Sequence, residues 1–330
     1  MNFSAEKVID VTGLGNALMD FLVEINDDVL VDAKLEKGGM YLVDENRANE
    51  LLAGLQQIKH KTTPGGASAN TIKGVAALGG ESVLFAKVGE DGHGDSYIEA
   101  IEMHGVKSRI SKHNSITGHA LTFITPDAER TFSVHLGAAL MLGKEDILED
   151  DIAISKVLHL EAFQFEGITH NTVVHAIELA KKHKTLVSVD LADSFLIERN
   201  LDLFKEIITR DVDILFANEN EAKAFTGKSG LEALKQMAGM VDVAVLKLGE
   251  EGSFISVNNE TSKIEPVKVR AVDTTGAGDT YAAGFLYGYT HGWNIEKSGR
   301  LGSLLASKVI EKIGVDILDI DIQGVLKEFD

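Results

Sequence analysis

The 330 residues include 51 acids against 32 lysines and arginines, a formal charge of -19, with 44% hydrophobic and 25% charged residues. Such a chain can bury a large core as one big α/β domain or two smaller ones. Its acidity repels polynucleotides and anionic lipid, so any phosphate it binds must be held by local geometry.

Cysteine is absent, which excludes disulfides, thiolate catalysis and cysteine-ligated zinc. Glu6 and Asp10 interrupt the N-terminus where a signal peptide needs an apolar stretch, and no apolar run is long enough to span a bilayer. The expectation is a cytoplasmic protein.

In chain order, V-I-D-V-T-G-L-G (8–15) predicts a strand running into a glycine turn. From Asp20 to about Tyr41 the chain breaks rhythm, with F-L-V-E-I-N-D-D-V-L-V where a crossover helix is due. Ile72, Val75, Ala76 and Gly79 fall at helical spacing and predict a helix over 68–78, followed by a strand at 82–89. Between 106 and 137 apolar and polar residues alternate about a turn at Pro126-Asp127, a β-hairpin pattern. Runs at 157–163, 185–192, 212–218 and 243–249 are apolar on both alternations, as strands covered on both faces should be. Helices are predicted at 170–183 and 220–225. The alternation gives an α/β fold around a mostly parallel sheet. It reads as one domain over 1–330, with 20–41 and 106–137 forming a small β-strand lid at its edge.

The stretch V-D-T-T-G-A-G-D-T (272–280) raises a chemical question. Its glycines permit backbone angles that aim several N–H groups into one hollow, and the next helix adds the positive end of its dipole. A phosphoryl group suits that hollow, with Asp279 beside it to accept the proton of an attacking hydroxyl. The helix end is expected to lower the Asp279 pKa. A plain N-cap is the alternative reading. Gly227-Lys228-Ser229 lacks the rest of a P-loop, Leu18 fills the third glycine position of a dinucleotide fingerprint, and the eleven histidines show no paired metal motif.

D-T-T-G-A-G-D resembles the C-terminal signature of the ribokinase-like (PfkB) sugar and nucleoside kinases. Gly65, Gly66 and Asn70 in G-G-A-S-A-N resemble the family's N-terminal signature, Asn218-Glu219-Asn220-Glu221 its N-x-x-E element, and L-K-L-G-E-E-G (246–252) its nucleotide-loop strand. Such segments run in order from about 11 to 314. Within the family, residues 13–20, 212–222 and 300–307 are most similar to adenosine kinases.

The resemblance implies a ribokinase-like three-layer α/β/α fold and an ATP-dependent kinase. Its acceptor would be a primary hydroxyl, the 5'-hydroxyl of adenosine first, with a ribose- or fructose-type sugar as the alternative. Asp279 would be the base, and the amides of Gly276, Ala277, Gly278 and Asp279 the anion hole. Arg130, on the lid hairpin, would meet the transferring phosphate oxygens, unless it is simply a solvated charge. Asp20 would accept from two neighbouring sugar hydroxyls, helped by Asn16, Gly65, Gly66 and Asn70. Leu18 and Phe163 would border a slot for a purine, although core filling is the commoner fate of such side chains.

On the nucleotide side the resemblance implies Lys247, Gly249, Gly252, Thr275, Gly278 and Ser303. Ser303 stands where the adenosine kinases carry a larger polar residue. Asn218 and Glu221 would organise Mg²⁺ on ATP through water; they also read as a helix capping box. A monovalent cation such as K⁺ beside the Asp273–Gly276 turn is compatible with the family, and monomer and homodimer both stay open.

Overall fold

Runs apolar on both alternations become the middle of a nine-stranded sheet in the computed structural model, which describes residues 3–55, 58–127, 129–258, 260–314 and 316–329. In chain order the strands are β1 (Ile9–Leu14), β2 (Leu18–Glu24), β3 (Met40–Leu42), β4 (His60–Gly65), β5 (Ser82–Gly89), β6 (Lys107–His113) and β7 (Gly118–Ile124). They continue as β8 (Arg130–His135), β9 (Ser155–Glu161), β10 (Leu186–Asp190), β11 (Ile214–Asn218), β12 (Val243–Lys247), β13 (Ser253–Val257) and β14 (Glu260–Ile264). The large sheet has the order β14-β13-β12-β11-β10-β9-β1-β5-β6. It is parallel from β12 to β6, with β13 and β14 antiparallel at one edge.

Side chains alternate between two cores. Val11, Val157, Phe216 and Val245 point into one, and Leu14, Leu158, Leu215 and Leu246 into the other. Helices cover both faces, which makes three layers. Each fully buried aliphatic or aromatic side chain contributes about 1.5–3 kcal/mol, so the two-sided strands hold the body together.

The second sheet has the order β3-β8-β7-β2-β4. The β7–β8 hairpin turns at Pro126-Asp127, as the alternation predicts. Two parts of the expected lid are corrected. β6 lies within 106–137 but pairs in parallel with β5, so it is the edge of the large sheet. The polar H-K-T-T-P-G of β4, which carries no strand signal, pairs antiparallel with β2 in the small sheet.

Five helices frame the carboxyl ends of these strands and the small sheet: α1 (Ala67–Ala77), α2 (Gly92–Met103), α3 (Glu219–Thr226), α4 (Ala277–Thr290) and α5 (Ile295–Ile310). α4 is wedged between α1 and α5 by a seam of small residues. A Cβ at Gly284 would lie 2.8 Å from the Gly302 backbone, one at Gly302 2.6 Å from the Tyr281 carbonyl, and one at Gly74 2.5 Å from the Ala283 Cβ. Among the described residues no helix is long and apolar enough to cross a membrane.

Candidate active site

Four successive parallel strands each present a polar side chain at or next to their carboxyl end: Glu161 on β9, Asp190 on β10, Asn218 on β11 and Lys247 on β12. This edge is where open α/β sheets hold ligands. A cavity of about 930 Å³ lies along it, bordered on the far side by Gly278 and Asp279 at the start of α4.

The glycine turn is built as its sequence suggests. Gly276 takes φ 72° and caps α4, a left-handed conformation that favours glycine. The Asp273 carboxylate braces the turn by accepting from the amides of Thr275 and Gly314, both at 2.8 Å. Of the four amides expected to form an anion hole, that of Ala277 is turned back onto the Thr274 carbonyl at 3.2 Å. Those of Gly276, Gly278 and Asp279 meet no acceptor among the described residues. Three free donors at a helix N-terminus remain.

Asp279 is the third residue of α4 rather than its cap. Asn70 donates from Nδ2 to Asp279 Oδ2 at 2.9 Å, and Thr71 Oγ1 donates to the Asp279 carbonyl at 3.1 Å, so two consecutive residues of α1 orient the acid. Its pKa is raised to about 6, opposite to the expected lowering. Burial is the largest cause, and the Asn70 hydrogen bond with the charges of Lys247 and Lys73 reverses only part of it. Desolvation wins over the helix end, and the carboxylate becomes a better base.

The acceptor-side residues converge next to it. Asp20 packs so tightly that a Cβ on Gly65 would lie 2.1 Å from Oδ2. Gly66, at φ 96°, would place a Cβ 2.1 Å from the Asn16 carbonyl. Asn16, Asp20, Gly65, Gly66 and Asn70 are therefore brought together. Burial pushes the Asp20 carboxyl up to about 7, with Lys73 opposing and Asp279 reinforcing the shift. Asn70 Oδ1 is buried with no partner among the described residues. Phe163 lines the cavity and is 41% exposed, whereas Asn16, Asp20, Gly65, Gly66 and Asn70 lie outside that lining, as does Leu18, which packs on Gly118.

Of the two readings of Asn218 and Glu221, the capping box is the one the structure displays. They form a capping box on α3: Asn218 Oδ1 accepts from the Glu221 amide at 3.0 Å, and Glu221 accepts from the Asn218 amide and Nδ2 at 2.7 and 2.6 Å. Both also line the cavity. Burial raises the Glu221 carboxyl to about 7. Lys247 donates to Asp190 at 2.6 Å, and its ammonium lies 3.0 Å from where a Cβ on Gly278 would stand, beside the free amides. Burial disfavours that ammonium, but Asp190 and Glu221 outweigh it and hold its pKa above the ordinary value. Gly249 and Gly252, at φ 56° and 89°, turn the chain after β12, and Ser303 on α5 closes the cavity wall.

Thr275, Gly276 and Arg130 sit apart from the lining. Arg130 is engaged by Asp273 and by Thr275 Oγ1, the latter at 2.8 Å, so it grips the base of the turn rather than the hollow. Three site residues carried no local signal: Asp190, Lys73 and Glu161, whose carboxyl accepts from the Ser68 amide and is pushed by burial up to about 8. Single ionisable residues inside apolar runs were the only trace of them.

Known proteins are similar to this chain in sequence and fold. The pfkB family carbohydrate kinase profile matches residues 40–321. A probable sugar kinase of Rhizobium etli CFN 42 and an adenosine kinase of Sinorhizobium meliloti superpose with TM-scores of 0.88 and 0.87. Each is 33% identical and covers 98% of this chain, with 99% and 100% of their own lengths matched. The adenosine kinase of Saccharomyces cerevisiae is 29% identical over 91% of this chain and 94% of its own. The family match over most of the chain, on a ribokinase-like α/β body, makes this protein a member of the pfkB family of carbohydrate kinases and hence a phosphotransferase acting on sugar or nucleoside hydroxyls.

Proposed function

We propose that this kinase transfers the γ-phosphoryl group of ATP to the primary hydroxyl of a nucleoside, with the 5'-hydroxyl of adenosine as the leading acceptor. One observation carries the mechanism: the Asp279 carboxyl, oriented by Asn70, stands at the cavity edge beside three amides without acceptors. Asp279 takes the proton from the hydroxyl as its oxygen bonds to phosphorus. The bond from phosphorus to the bridging oxygen breaks, and ADP leaves with the electron pair. The amides of Gly276, Gly278 and Asp279 meet the charge on the equatorial oxygens, and Lys247 adds a cation beside them. Asp20 holds the acceptor by its neighbouring hydroxyls.

Among the described residues there is no cluster of three metal-ligating side chains, and the Glu221 oxygens already accept from Asn218. That donor set suits an ion which keeps its waters and rides on nucleotide phosphates. Magnesium held there, through water on Asn218 and Glu221, would supply neutralisation of phosphate charge.

Similarity to two adenosine kinases, and an exposed Phe163 ring against which a purine can lie, support the nucleoside reading. The equal 33% identity to a probable sugar kinase supports a second acceptor class with the same chemistry. An acceptor screen by ATP-dependent ADP release decides between them, using adenosine, other nucleosides, ribose and fructose. Turnover of adenosine with little or none of free sugars is expected; turnover of sugars with rejection of every nucleoside overturns the leading acceptor.

A further inference from the structure

Among the described residues Lys73 is the largest charged side chain that is fully buried. It lies on α1, 1% exposed, one turn beyond Asn70, the residue that orients Asp279. Its ammonium donates to the Pro64 carbonyl at 2.6 Å. The next residue, Gly65, is the one against which the Asp20 carboxylate is pressed. The same pivot is held by the buried Tyr97 hydroxyl, which donates to the Gly65 carbonyl at 2.8 Å. A buried ammonium persists only where opposite charge and hydrogen bonds compensate its lost hydration.

We propose that Lys73 is a positioning residue whose buried ammonium, seated on Pro64 where α1 meets the small sheet, is the shared counter-charge of the acceptor-holding acid Asp20 and the base Asp279. The proposal rests on the reading of Asp279 as the base and names the group that lets two acids occupy one site. The charged and titratable groups around it are Asp20 from β2, Asp279 from α4 and Asp316 from the C-terminal segment, all of which favour its charged form. Beyond them stand Glu161 from β9, whose carboxyl feels the charge of Asp279, and Tyr97 from α2, whose hydroxyl feels Asp20. Asp20 is the principal client of Lys73 and Asp279 a lesser one, with Asp316 between them; Asp316 also has partners of its own in Lys61 and His104, at 4.0 and 3.8 Å. Burial draws the Lys73 pKa down to about 8, so it still carries its proton at neutral pH.

A cation at this position favours ionised Asp20 and Asp279, so removing it raises both pKa values. In Lys73→Met the acid limb of the kcat/KM pH profile is expected to move up by about one unit or more. The loss is expected to exceed tenfold at pH 6 and to shrink to about threefold at pH 9, where both acids ionise regardless. Lys73→Arg, which keeps the charge, should hold the limb near the wild-type position. Should Lys73→Met fail to fold, Lys73→Gln keeps a donor for the Pro64 carbonyl and discards the charge. A limb that stays in place, or an equal loss at every pH, overturns the proposal. Asp279→Asn, measured alongside, separates the two ideas: its residual rate tests the base, and the position of the Lys73→Met limb tests the counter-charge.

Discussion

As the proposed base, Asp279 must be ionised to accept a proton yet basic enough to want one, and its surroundings set that balance at a pKa of about 6. Asp279→Asn keeps the shape and the Asn70 contact but cannot take the proton. We expect kcat to fall by about 10³-fold or more, with nucleotide affinity within a few-fold of wild type, read by ADP release and by titration. A wild-type rate in this variant would refute the base. Glu161, by contrast, is a carboxyl held neutral at pH 7, its pKa raised by burial to about 8. The unfolded chain ionises this group above the ordinary glutamate value, while the folded chain keeps it protonated until about 8. Its contribution to stability is therefore greatest at low pH and declines as pH rises through that window. Glu161→Gln keeps an acceptor for the Ser68 amide and removes the cost of burying charge. It should stabilise the protein by on the order of 1–3 kcal/mol at pH 8 and by nothing measurable at pH 4. Thermal melts at both pH values check this, and a lower melting temperature at pH 8 would contradict it.

Among the elements, the turn from β4 into α1 is the most constrained. Gly66 combines φ 96° with a space already filled by the Asn16 carbonyl. Gly66→Ala should cost about 2 kcal/mol or more and raise the acceptor KM well above the ATP KM, because Asn16 and Asp20 shift together; denaturant melts with steady-state kinetics test both. The elements also show which signals a sequence carries. β9 to β12 were legible because burial on two faces writes continuous apolar runs. β4 was not, because it is an edge strand with one partner, rich in polar residues and carrying Pro64. β6 reads as a lid strand because it too is an edge strand, polar and at most half-buried, with Lys107 and Lys112 exposed. Within the site, the glycine turn and the capping box were readable, being local motifs. Asp190, Glu161 and Lys73 acquire meaning only when parallel strands bring distant positions into line, and no short window contains that information.

At the scale of the whole molecule, Arg130 joins the small sheet to the turn that feeds α4. Its partner Asp273 is buried, and although burial alone would raise that carboxyl, hydrogen bonds from Arg130, Gly314 and Thr275 hold it below the ordinary range. Arg130→Ala should lower kcat/KM by about 10- to 100-fold, with Arg130→Lys recovering only part of the loss because a point charge does not reproduce the planar fork. Full activity in the alanine variant would show that the bridge is incidental. The glycine seam around α4 bears on where motion can occur. With backbone touching backbone at Gly284 and Gly302, the helix has no cushion of long side chains on which to slide. The proposed proton acceptor is thus an anvil fixed in the body, and on this reading an opening that admits a substrate falls to the five-stranded sheet, which would carry the alcohol to a stationary target.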